Sequence, residues 1–139
     1  MFVKEKWRIV RYKMKVSIIT VAYNSEGTIE DTIKSVISQD YGSIEYIIVD
    51  GGSSDGTMAI VNKYADQIAT VVSEKDKGIY DAMNKGVKLS TGDIVGILNS
   101  DDFYIDDTVI SKVVNSFDTD TEGVYADLIY VDQIDTGKT

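Results

Sequence analysis

The residues best suited to chemistry gather where short apolar runs end. Residues 94–98 are apolar apart from Gly96 and lead directly into Asn99, Ser100, Asp101 and Asp102. Two carboxylates side by side at the end of a buried strand repel each other, and a bound cation relieves that repulsion. Mg2+ and Mn2+ take six oxygen ligands, commonly with one or two protein carboxylates and substrate phosphates supplying part of the shell. A short acidic motif suits either ion. The competing reading is a solvated loop in which Asp102 or Asp106 caps the helix that follows.

A second cluster, Asp50, Gly51, Gly52, Ser53, Ser54, Asp55 and Gly56, follows the run 44–49. Asp50 is either a turn former or an acceptor for an N–H of a base. Asp55, before Gly56 and Thr57, reads as a helix cap. Tyr23 either covers a sheet edge or offers a flat face on which a nucleobase stacks. The glycine spacing matches neither a dinucleotide fingerprint nor a P-loop, and no Lys follows, so nicotinamide and ATP chemistry lose their main support. The 139 residues include no Cys and no His. Disulfides, cysteine nucleophiles, Ser-His-Asp hydrolysis and the usual zinc ligands are thereby excluded.

These clusters need elements to hold them. Residues 16–21 form a β-branched run, and Ile29, Ile33, Val36 and Ile37 follow at helical spacing. Residues 44–49 read as a strand before a helix carrying Met58, Ile60, Val61 and Tyr64. A third strand at 68–72 precedes a helix at 80–89, and a fourth at 94–98 precedes a helix at 108–117 with Val109, Ile110, Val113, Val114 and Phe117 inward. Residues 124–131 read as a last strand buried on both faces. Repeated βαβ units imply one α/β domain with a mostly parallel sheet and helices on both faces. Ligands then bind beyond the carboxyl ends of the strands, where the polar clusters lie.

The net charge of −9 divides unevenly, with +5 in residues 1–15 and −14 in the remainder. An acidic body repels a nucleic-acid backbone, so a polynucleotide partner is excluded, and a phosphate-bearing ligand would call for a divalent cation. No apolar run is long enough to span a bilayer, and the N-terminus lacks a signal-peptide core. The expected location is cytoplasmic. In the basic leader, residues 1–13, Val3, Trp7 and Val10, with Met14 beyond, recur at helical spacing. This stripe either touches anionic lipid at the inner face of the membrane or is an extension upstream of the domain, and the start-like Met14-Lys15-Val16 favours the second.

Four stretches together resemble the inverting glycosyltransferases of family 2. They are residues 16–24 (VSIITVAYN), 47–57 (IIVDGGSSDGT), 74–86 (EKDKGIYDAMNKG), and Gly92-Asp93 through Asn99-Ser100-Asp101-Asp102. The resemblance runs from about residue 14 to 132 and implies the Rossmann-like GT-A fold that binds nucleotide-diphospho-sugars, cut short before the acceptor-binding half. Residues 14–135 would then be the donor-binding domain and residues 136–139 a tail.

By this resemblance Val21, Ala22 and Tyr23 hold the base, Asp50 accepts its imide N–H, and Asp101 is the carboxylate for Mn2+ or Mg2+. The family usually has Asp where Asn99 stands, with Ser100 in the middle of the motif and Asp102 as a contact to the sugar or around the metal. Lys77 reaches the diphosphate, with Lys75 as its rival, and Asp76, Tyr80 and Asp81 are either sugar-side contacts or serve helix packing and capping. The implied reaction moves a sugar, from a UDP-sugar by preference, to a glycan or lipid-linked acceptor hydroxyl with inversion, in polysaccharide or glycoconjugate synthesis. The general base is expected beyond the C-terminus, so a donor-binding module without turnover is the alternative. A phosphoacceptor receiver domain is set aside, since residues 20–23 supply no acidic pair. The uncovered edge near 124–131 leads to the expectation of a homo-oligomer.

Overall fold

A computed structural model of the chain describes residues 13–117. Strand β1, Val16–Ala22, is buried along its whole length. Successive side chains of a strand point to opposite faces. Val16, Ile18 and Ala22 accordingly enter one core cluster, and Ile19 and Val21 enter a second. Strands β2 (Ile44–Asp50), β3 (Thr70–Ser73) and β4 (Ile94–Ile97) complete a four-stranded sheet in the order β3-β2-β1-β4, with every pairing parallel.

Helices α1 (Ile29–Ile37), α2 (Thr57–Lys63), α3 (Ile79–Leu89) and α4 (Val109–Ser116) cover both faces. Ile29, Ile33 and Val36 of α1, Val61 of α2 and Ile110 of α4 join the larger cluster. Ala82 of α3 packs on the other face with Ile19, Val21, Ile47 and Val49. Gly86 lets α3 lie close, because a Cβ there would run into the Ile19 side chain. The expected alternation of strands and helices is therefore present. The third strand starts at Thr70, two residues later than expected, because residues 65–67 form a 3-10 turn and Ile68 goes to the core as the turn's cap. Of the five inward positions expected on the last helix, Ile110 is fully buried and the others half-buried. The leader up to residue 12, the run 124–131 and the tail lie outside the described residues.

The strand order places the site. From β1 the chain adds β2 and β3 on one side, then crosses back to lay β4 on the other side of β1. Such a reversal parts the loops that leave two neighbouring strands and opens a crevice at their carboxyl ends. Here those are the loops after β1 and β4.

Candidate functional site

A cleft of about 750 Å3 opens at that edge, lined by residues from four loops. The end of β1 and its loop supply Val21 to Ser25 and Thr28, the β2 loop Gly51, the β3 loop Lys75, Asp76 and Gly78, and the β4 loop Asn99, Ser100 and Asp101. Ile79 and Ala82 of α3 complete the wall. Tyr23, 66% exposed, presents its ring at the rim.

The loops are laced together by short polar contacts. Asn24 takes φ +46, a left-handed conformation that Asn tolerates better than most residues. Its N–H donates to Ser53 Oγ at 2.7 Å, and its Oδ1 accepts the Ser54 N–H at 2.9 Å. Asp55 receives the Thr57 N–H and hydroxyl on Oδ1 and the Glu26 N–H on Oδ2, which makes it a brace between loops. It also acts as the expected cap, since Thr57 is the first residue of α2 and Asp55 accepts that first-turn N–H from one position before Gly56, the N-cap residue. Across the crevice, Ser25 Oγ and Ser100 Oγ lie 2.7 Å apart, and Thr32 of α1 donates its hydroxyl to the carbonyls of Ser100 and Asp102.

The expected site residues separate by depth. Val21, Ala22, Tyr23, Ser100 and Asp101 all line the cleft. Asp50 does not: it is 0% exposed, and its oxygens accept from Gly52 N, Ser53 N, Ser53 Oγ and Ser73 Oγ at 2.5 to 3.1 Å. A carboxylate so buried and so bonded holds the glycine turn from beneath. Lys77 is exposed and off the cleft wall, its N–H donating to Asp81 Oδ2, while Lys75 takes the lining position. Asp102 also lies off the wall, and burial, followed by the neighbouring Asp101 charge, raises its carboxyl above the usual range. Asp81 sits at the start of α3, where the Lys77 N–H does most to hold its carboxyl low, and Lys85 pairs with it at 3.5 Å.

Two contributors, Thr32 and Ser53, have no role assigned from the sequence alone. Thr32 is a buried hydroxyl on an apolar helix face, a pattern that could have flagged it. Ser53 is the link between Asp50 and Asn24, which only the folded turn shows. Asn99, the amide standing where the family usually has Asp, has its Oδ1 buried at the cleft wall without a hydrogen-bond partner among the described residues. A buried carbonyl oxygen left unpaired is costly. With the Ser100 hydroxyl and the Asp101 carboxylate it makes a set of hard oxygen donors of the kind Mg2+ and Mn2+ prefer. No group of three or more Asp and Glu side chains suited to a metal occurs among the described residues, so such an ion would draw further ligands from elsewhere.

The sequence profile of the glycosyl transferase family 2 matches residues 17–139. An Escherichia coli UDP-Glc:α-D-GlcNAc-diphosphoundecaprenol β-1,3-glucosyltransferase is 39% identical over 106 residues, 76% of this chain and 42% of its own. Staphylococcus aureus TarS residues 1–349, solved with UDP-GlcNAc, superposes with a TM-score of 0.67 at 31% identity, covering 73% of this chain and 30% of that one. A mannosyltransferase from Pyrobaculum calidifontis, solved with GDP-Man and Mn2+, gives a TM-score of 0.69 at 26% identity over 81% of this chain and 37% of its own. The chain spans about two fifths of the length of the curated relatives it matches, 39% and 42% for two of them.

Proposed function

The chain belongs to the glycosyl transferase family 2, with the GT-A fold, and we propose that it binds a nucleoside-diphosphate sugar in the four-loop cleft for transfer to an acceptor hydroxyl with inversion. In that reaction the acceptor oxygen bonds to the anomeric carbon while the bond from that carbon to the diphosphate oxygen breaks, and the acceptor proton passes to a base. The carbon gains oxocarbenium character on the way and the departing diphosphate gains charge. Residues 14–135 form the donor-binding domain in this reading, and no described residue is assigned as the base.

The observation that carries the reading is the convergence of a flat aromatic rim, Tyr23, and an oxygen-rich floor, Asn99 to Asp101, at the two sides of one crevice at the sheet's switch point. In this reading Val21, Ala22 and Tyr23 face the base, Lys75 faces the diphosphate, and Asp101 with Asn99 Oδ1 and Ser100 would hold Mn2+ or Mg2+. Such an ion would neutralise charge that develops on the leaving diphosphate. A UDP-sugar donor and a lipid-linked glycan acceptor are the partners in our reading, supported by the donor and acceptor in the name of the E. coli relative.

Titration of the full chain with UDP tests this directly. We expect binding in Mn2+ that EDTA removes, and loss of the Mn2+-dependent part in Asp101→Asn with an unchanged melting temperature. Equal affinity in EDTA and Mn2+ overturns the metal assignment. A product assay with UDP-sugars then separates transfer from binding alone.

A further inference from the structure

Asp50 sits next to the base end of the cleft but is wholly buried and outside its lining, with four donors of the glycine turn and β3 on its oxygens. Another carboxylate stands in the space it leaves. Gly51 lies against Ala22, its N–H donating to the Ala22 carbonyl at 2.8 Å, and both residues line the cleft. A Cβ on Gly51 would come within 2.6 Å of Asp76 Oδ2. The Asp76 carboxylate therefore occupies the volume that a side chain at position 51 would fill.

Asp76 is half-buried, and its Oδ1 accepts the Gly78 N–H at 3.0 Å, which orients the group. Its Oδ2 makes no hydrogen bond among the described residues. The geometry points to Asp76 as the residue that reads the hydrogen-bonding edge of the donor's base, in a place opened for it by the absent side chain of Gly51.

This rests on the donor-binding reading above, in which Val21 to Tyr23 face the base. A carboxylate accepts hydrogen bonds and does not donate them. It matches a base whose ring nitrogen carries a hydrogen, as in uracil or guanine, and it opposes the acceptor nitrogen that cytosine presents in the same place. The class of donor selected is therefore the imide or lactam nucleotide, while Asp50 acts by positioning the turn that carries Gly51.

The experiment is calorimetric titration of the full chain with UDP and with CDP, both in Mn2+. We expect wild type to favour UDP by about tenfold or more, the size of effect that an unpaired buried polar group produces. Asp76→Asn, which offers a donor as well as an acceptor, should bring the UDP-to-CDP ratio close to one at an unchanged melting temperature. Gly51→Ala, which displaces the carboxylate, should move the ratio the same way.

A wild-type ratio near one, or a ratio that Asp76→Asn leaves untouched while UDP still binds, overturns the assignment of Asp76 alone. Failure of wild type to bind either nucleotide overturns the donor-binding reading and this inference with it.

Discussion

Asp50 shows how a residue's type and its role part company. At the end of a hydrophobic strand and before two glycines, its carboxylate could serve a ligand or a turn, and the two readings look alike in sequence. In the fold it is wholly buried and collects two backbone N–H groups and two hydroxyls. Ser53 passes this order onward, donating to Asp50 and accepting from Asn24. Replacing Asp50 by Ala should lower unfolding stability by about 1–3 kcal/mol, since buried donors lose their acceptor. Denaturant unfolding checks this. A variant as stable as wild type that has lost only nucleotide affinity would return Asp50 to direct ligand contact.

Among the elements, the end of the sheet opposite the cleft is held by one carboxylate. Glu45, near the start of β2, accepts from Ser17 Oγ of β1 and from the Thr91 N–H and hydroxyl in the turn before β4, and it pairs with Lys15 at 3.2 Å. Burial, the largest single influence, pushes its pKa up. The hydrogen bonds from Thr91, Ser17 and Lys15 together outweigh it and hold the group at about 2, against the ordinary 4.5. A carboxyl whose folded-state pKa is depressed stabilises the fold fully above its unfolded value and loses that contribution as pH falls toward the folded one. The stability gap between wild type and Glu45→Gln should therefore be widest at neutral pH and narrow between about 4.5 and about 2, read as urea midpoints against pH. A gap independent of pH would show that Glu45 acts by packing alone.

Over the whole molecule, charge decides how an anionic ligand approaches. The chain carries −9, and everything after residue 15 carries −14. No helix among the described residues is long and apolar enough to cross a membrane. Without a divalent ion, UDP meets net repulsion, which salt screens over a Debye length of about 10 Å at 0.1 M. Residual UDP affinity in EDTA should therefore rise as NaCl is raised, with a shallower salt dependence in Mn2+. Affinity in EDTA that falls with salt would instead mean that Lys75 dominates the field at the cleft.

The local order of the chain determined its class and the position of its chemistry. The β-branched run at residues 16–21, helical spacing at Ile29, Ile33 and Val36, and polar clusters after each strand are short-range patterns, and they read directly as βα units with a crevice at the strand ends. Four motifs in the right order were enough to carry the family resemblance. Which carboxylate faces a ligand was not legible, because it depends on contacts between residues distant in sequence. Asp50 is tied down by the turn that follows it and by Ser73, 23 residues on, while Asp76 reaches the cleft because Gly51, 25 residues earlier, has no side chain. Asn99 likewise became informative only when β4 packed beside β1 and left its Oδ1 buried and unpaired. Hydrogen-bond saturation and side-chain volume are properties of tertiary neighbours, so only the folded chain could decide them.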